Sequence, residues 1–400
     1  MKWVSTFKYL PINYNTKLAE IENQTQRLIF DNNLNGDIIR IRLSNKYSHK
    51  NLCLEKITIS KVKGSILENT TSITKNGQTI VNLLPNEECW SDEIKFKINS
   101  GDKLAVSIYI KDKQEIASAC VLWSKTGAVI SNSVNGDFTN KSEFEQVDMQ
   151  DIYKVVKDDV NKGMMFYGFT TIQVLTDDNV KTIAAFGDSI THMSYFTNAL
   201  YKRLCSEFPA KVSLINCGIG GNRVLHDATY AKDIVGNGSL FGEAGIKRFE
   251  NDIFEYDNVD TILVLEGIND IMHPFVFSQM HELITADDLE NGLKEYVKIA
   301  RKHNSKIFGA TIMPCGHEIC TDEMLMGFEK VRQDINARIR NNQIGYDGYF
   351  DYDKAVRMTD KQDYMDEKYH IGDGLHPNDL GGECMADKVD IDLITKEKKC

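Results

Sequence analysis

Ala184-Ala185-Phe186-Gly187-Asp188-Ser189-Ile190-Thr191 lies near the middle of a 400-residue chain and separates two halves with different hydrophobic periodicity. Before it, Lys181 to Phe186 is a short apolar run of strand length. After it, Thr191 to Phe208 has the spacing of an amphipathic helix, with Tyr195, Leu200 and Leu204 among its apolar positions. Strand, tight glycine turn, exposed serine and helix start form a geometry in which a hydroxyl can act as a nucleophile. The helix start would offer free N–H groups and a positive dipole end to a developing anion. Serine before a helix is also an ordinary N-cap. The loops that end the other strands decide between these readings.

Downstream, strand candidates at Thr182–Phe186, Val212–Asn216, Thr261–Leu265 and Lys306–Ile312 alternate with helical stretches, the clearest being Ala286–His303 and Thr321–Asn341. That order predicts an α/β domain over 177–400, a parallel sheet with helices on both faces and its site outside the carboxyl ends of the strands. Upstream, Ile39, Ile41 and Leu43 alternate with Arg40 and Arg42, and Ile94, Phe96 and Ile98 with Lys95 and Lys97. Leu104, Val106, Ile108 and Ile110 keep the same period of two. Asn35-Gly36, Asn76-Gly77 and Asn135-Gly136 are hairpin dipeptides between such runs. Residues 1–176 therefore read as an antiparallel β-sandwich, jelly-roll-like, with Gly168–Leu175 as its last strand and Thr176-Asp177-Asp178-Asn179 as a polar linker.

Composition narrows the function classes. A net charge of −11, with no Lys/Arg-rich block, argues against nucleic acid as a partner. No apolar run approaches the ~20 residues of a membrane span, so no membrane is expected either. The segment Met1–Lys8 lacks a signal-peptide core, and nine scattered cysteines without paired spacing fit reduced thiols. These point to a cytoplasmic protein, with secretion open if a leader has been removed. Cys315, His317 and Cys320 lack a second ligand pair at zinc spacing, so no metal is expected. Lys396-Glu397-Lys398-Lys399 reads as a solvated tail.

The strand-ending loops carry the chemistry. Asn216-Cys217-Gly218-Ile219-Gly220-Gly221-Asn222-Arg223 allows close backbone approach to a ligand. As a dinucleotide fingerprint it fails at Arg223, where a last glycine is required. Glu266-Gly267-Ile268-Asn269-Asp270 is a glycine turn followed by an amide donor. Gly372-Asp373-Gly374-Leu375-His376-Pro377 sets an aspartate three residues before a histidine, where it can orient the imidazole through Nδ1.

Ser189 in Gly-Asp-Ser, Gly221 in Asn-x-Gly-x-Gly-Gly-Asn, Asn269 in Gly-x-Asn-Asp and His376 in Asp-x-x-His-Pro resemble, in order, the four blocks of the SGNH (GDSL) hydrolase superfamily. Trp3-Val4, Arg27 and Ile38–Asn45 resemble the leading β domain of its two-domain bacterial members, and Arg248–Ile253 the helix before their Asn-bearing strand. The resemblance implies a flavodoxin-like αβα catalytic domain and a serine esterase needing no cofactor. It implies Ser189 as nucleophile, His376 as general base and Asp373 as its orienting carboxylate. It also implies an oxyanion hole from the N–H groups of Ser189 and Gly221 and the amide of Asn269.

His192, His370 and His273 stand close enough in sequence to be rival bases, and His192 and Arg223 are candidate substrate contacts. Arg223 is equally readable as the partner of a local carboxylate. Asp188 is expected to tie the nucleophile loop together. Nothing reads as a long apolar lid or an interfacial helix. The expected substrate is a small-molecule or oligosaccharide ester with a short acyl group, foremost O-acetyl on carbohydrate. The alternatives are a lipase or thioesterase of the same mechanism, and a non-catalytic carbohydrate-binding protein on this scaffold.

Overall fold

A computed structural model describes residues 1–153, 163–316 and 321–396. His317, Cys320 and the 397–399 part of the tail lie outside the described residues. Two units divide the chain: Met1–Val180 with Leu204–Ile215, and Lys181–Arg203 with Asn216–Cys400.

The first unit is antiparallel. One sheet runs Lys2–Lys8, Gly168–Thr176, Gly36–Ser44, Glu88–Trp90, with Ile94–Ile98 also pairing Gly36–Ser44. The other runs Gln146–Val147, Ala128–Asn135, Gln24–Asp31, Lys103–Ile110, Lys56–Lys63, Ile66–Ser72. The period of two sends Ile39, Ile41 and Leu43 from one sheet, and Leu28, Phe30, Leu104, Val106 and Ile108 from the other, into the core. Phe7 of the first sheet meets Phe30 of the second at 5.0 Å between ring centroids, so the sheets pack face to face. Of the three hairpin dipeptides, Asn76-Gly77 makes the expected turn, with φ of 53° and 75° between bridged Lys75 and Gln78. Gly36 instead already belongs to the strand Gly36–Ser44, and Asn135 is the last residue of Ala128–Asn135.

From Lys181 onward the chain forms a parallel sheet of strands β1 (Lys181–Gly187), β2 (Val212–Gly218), β3 (Thr261–Leu265), β4 (Lys306–Ala310) and β5 (Gly348–Phe350), in spatial order β2-β1-β3-β4-β5. β5 was missed in the sequence because Gly-Tyr-Phe is too short to show a period. Among the chain's helices are α1 (Ser189–His192), α2 (Tyr195–Glu207), α3 (Gly245–Phe254), α4 (Ile268–Val276), α5 (Ala286–Lys302), α6 (Asp322–Arg340) and α7 (Asp379–Asp387). α5 starts at a reciprocal capping box between Thr285 and Asp288, and α6 at Thr321, whose hydroxyl accepts from the Met324 N–H. β1 contributes Ile183, Ala184, Ala185 and Phe186, all buried, as a central strand covered on both faces requires.

The helix expected from Thr191 to Phe208 is broken. α1 is a single turn, and Ser194, at φ 74°, redirects the chain before α2 begins. The periodicity ran through this break because apolar residues on both sides face the same core. A four-residue helix sums few peptide dipoles, so the local N–H groups at Ser189, and not a macrodipole, are what this turn offers an anion.

Candidate active site

β1 ends in the close-packed glycine its neighbour demands. A Cβ on Gly187 would lie 2.0 Å from the Leu265 carbonyl of β3, so the strand can run past β3 and turn only with glycine there. Asp188 then caps α1, its Oδ1 accepting from the Ile190 N–H at 3.0 Å. Burial drives the Asp188 carboxyl well above the usual range, against that single N–H. It ties the loop together, as the sequence suggested, from a buried position beneath half-buried Ser189.

His376 Nε2 lies 2.8 Å from Ser189 Oγ, and His376 Nδ1 lies 2.6 Å from Asp373 Oδ2. A carboxylate only accepts, so Nδ1 carries the proton and the Nε2 lone pair faces the serine hydroxyl. Asp373 Oδ1 accepts from the N–H groups of Leu375 and His376 at 3.0 and 2.9 Å. Burial pushes this carboxyl up, but the His376 imidazole and the two N–H groups outweigh it and hold it at about 2. The loop is shaped by His370, whose Nδ1 accepts from the N–H groups of Gly372 and Gly374.

The three groups that the sequence points to as anion donors come from different loops. The N–H groups of Ser189 and Gly221 have no acceptor among the described residues. Gly221 sits at φ 73°, and a Cβ there would fall 2.0 Å from the Phe241 ring, so only glycine leaves this loop in place. Asn269, 6 % exposed, gives one amide hydrogen to the Asn222 carbonyl at 3.0 Å, which leaves the other for a ligand. Asp270 pins the same two loops, accepting from the N–H groups of Val224 and Leu225 at 2.7 and 2.9 Å. Burial pushes its carboxyl up to about 7 although those N–H groups favour the ionised form.

The structure brings Ser189, Asp373 and His376 into one hydrogen-bonded relay; His192 and Arg223 take no part in it. His192 is 2 % exposed and its Nδ1 accepts from the Gly220 N–H at 3.1 Å, so it supports the glycine loop from below. Arg223, also 2 % exposed, donates to Glu282 Oε2 at 2.6 Å and to the Asp227 carbonyl, the carboxylate pairing that the sequence left open. It clasps the segment after β2 to the segment after α4. His273 is buried beside Thr229, its Nδ1 3.0 Å from the hydroxyl, with Phe241 and Phe277 against its ring. Asn222, Arg248 and Asp270 were missed as functional candidates. The available signal was Arg248 at buried spacing with Phe249 and Ile253 on α3, where an arginine needs oxygen partners.

Residues 185–383 match the GDSL-like lipase/acylhydrolase family. That segment is a GDSL-like lipase/acylhydrolase domain. Its span contains the Ser189, Gly221, Asn269 and His376 loops, and an acyl-ester hydrolase is the activity class it brings. No curated protein matches the chain. Similar solved structures include a GDSL-like lipase from Bacteroides thetaiotaomicron, 17% identical over 53% of this chain and 87% of that one, with a TM-score of 0.39. An acetyl xylan esterase is 22% identical over 52% of this chain and 96% of its own, with a TM-score of 0.39. A catalytic mutant of an acetylxylan esterase from Geobacillus stearothermophilus is 16% identical over 52% and 91%, with a TM-score of 0.39.

Proposed function

We propose that this GDSL-family hydrolase is a serine esterase that removes short acyl groups, foremost acetyl, from carbohydrate through an acyl-enzyme on Ser189. The observation that carries the reading is the unbroken relay Asp373–His376–Ser189, with both hydrogen bonds made and the imidazole tautomer set by the carboxylate.

In this mechanism the Ser189 hydroxyl gives its proton to His376 Nε2 as Oγ attacks the ester carbonyl. The oxyanion that forms is met by the Ser189 N–H, the Gly221 N–H and the free Asn269 amide hydrogen. Asp373 stabilises the imidazolium, which returns the proton to the leaving alcohol. Water then repeats the sequence on the acyl-enzyme, and the free acid leaves with Ser189 restored.

A second reading, a lipase or thioesterase acting on longer acyl chains, has one observation in its favour. Tyr230, Val276, Met280 and Leu283 are exposed on the segments that Arg223 and Glu282 clasp together. Turnover of nitrophenyl esters from acetate to octanoate separates the two, together with acetate release from acetylated xylan, mannan and sialic-acid oligosaccharides. The expected result is preference for acetate and release from at least one oligosaccharide. A rate that climbs with chain length would replace this reading with the second. Loss of all turnover in Ser189→Ala is required by both, and turnover in that variant would leave neither standing.

A further inference from the structure

The interior behind the oxyanion loops is organised by one buried guanidinium. Arg248 of α3 is 5 % exposed, and its partners are the ends of the catalytic loops. Its Nε donates to Asn222 Oδ1 at 2.7 Å. One terminal nitrogen donates to the Cys217 carbonyl at 3.0 Å and to Asp252 Oδ2 at 2.9 Å, and the other to the Gly187 carbonyl at 2.9 Å. The guanidinium also lies 4.0 Å over the Phe186 ring, which fixes its plane.

The contacts to Gly187, Cys217 and Asn222 lie on the segments that carry the reacting groups. Gly187 is two residues before Ser189 and ends β1. Cys217 is near the end of β2, where the glycine loop begins. Asn222 directly follows Gly221, and its carbonyl accepts from the Asn269 amide at 3.0 Å. The Asn222 side chain is committed at both ends: Oδ1 to Arg248, and Nδ2 to the carbonyls of Phe241 and Glu243 at 2.6 and 2.8 Å. Asn222 thus holds the Gly221 peptide through its own backbone and aims the Asn269 amide through its carbonyl.

Charge balance alone does not account for this arrangement. Asp252, and Glu266 with Oε1 at 3.5 Å, supply the negative charge that a buried arginine needs, and Tyr296 holds the other Glu266 oxygen at 2.6 Å. The fork directs its remaining N–H groups to neutral oxygens of the catalytic loops. A lysine would keep the charge, but its single ammonium cannot reach Asn222, Cys217 and Gly187 together.

We propose that Arg248 is a positioning residue of the esterase reaction, holding the three oxyanion donors in register through Asn222 and Gly187. The inference rests on the function proposed above. The test uses the full chain as Arg248→Lys, Asn222→Ala, Asn269→Ala and the two double variants with Asn269→Ala, assayed on nitrophenyl acetate. Arg248→Lys and Asn222→Ala should each lower kcat on the order of a hundredfold, with KM changed by less than about threefold. In the Asn269→Ala background each should cost at least about tenfold less, since the amide they aim is gone. A merely structural arginine would give losses that multiply in full across the two backgrounds. That result, or kcat within about threefold of wild type in both single variants, overturns the proposal. If Arg248→Lys does not fold, Asn222→Ala with its double variant carries the same comparison. Ser189→Ala run alongside keeps the two readings apart: turnover surviving there removes the esterase mechanism itself, whatever Arg248 does.

Discussion

Replacing Asp373 by asparagine changes one atom, and the structure dictates which way the new amide must face. Asp373 Oδ1 accepts two backbone N–H groups, from Leu375 and His376, so the asparagine oxygen is required there. That leaves the NH₂ group opposite His376 Nδ1, where Oδ2 stood at 2.6 Å. Nδ1 must then accept, the ring proton moves to Nε2, and Nε2–H donates to Ser189 Oγ when it should accept from it. To react, the imidazole must return to the productive tautomer against a facing donor, at about 2–3 kcal/mol for the lost charge-assisted bond. The carboxylate's stabilisation of the imidazolium is lost as well. A carboxylate paired with a cationic ring in a charge-assisted hydrogen bond puts that stabilisation on the order of 2 kcal/mol. Together these give a barrier increase of about 4–5 kcal/mol, or roughly a 10³- to 10⁴-fold loss of kcat. Steady-state hydrolysis of nitrophenyl acetate by Asp373→Asn, with circular dichroism to establish an intact fold, measures it. A folded variant with kcat within about tenfold of wild type would refute the tautomer argument.

Three further outcomes follow from the same geometry. Asn269→Ala should lower kcat on the order of a hundredfold or more by removing one oxyanion donor, with little change in thermal midpoint; near-wild-type turnover would take Asn269 out of the site. Gly221→Ala must place a methyl into the Phe241 ring at a backbone φ of 73°, so activity should fall sharply, and a doubly small variant, Gly221→Ala with Phe241→Ala, should recover only part of it. Burial, with Arg223 nearby, lowers His273 from 6.5 to about 3, so the unfolded chain takes up a proton there before the native state does. Stability should therefore fall by a few kcal/mol as pH drops from about 6.5 towards 3, and urea midpoints of His273→Phe should show a shallower fall. Equal pH slopes in the two proteins would remove His273 as a source of acid sensitivity.

The hydrogen-bonded relay of Asp373, His376 and Ser189 was legible because its parts are local in sequence. Asp373 and His376 stand three residues apart, and Ser189, Gly221 and Asn269 each follow a recognisable strand with a glycine turn. The strands themselves showed through a periodicity that burial on one or both faces imposes. Less visible were features set by contacts between distant segments. The break at Ser194 left the apolar spacing intact, and β5 was too short to carry a period. Arg223 and His192 sat beside the motif residues and invited a role at the substrate. Their side chains instead turn inward, Arg223 to Glu282 and His192 to Gly220.

What the amino-acid sequence determined by itself was the order of chemical groups and the kind of element that carries each. Hydrophobic period, turn chemistry and a three-residue Asp-to-His spacing are short-range properties that a linear chain records directly. The tertiary structure alone decided which of several histidines faces Ser189, and where the buried charges go. Arg248 reads in the sequence as one more helical arginine. Only when β1, β2 and the Asn222 loop converge does its fork find Gly187, Cys217 and Asn222 together. A buried guanidinium must satisfy its donors wherever the fold brings oxygens within reach, and that meeting has no counterpart in the spacing of the chain.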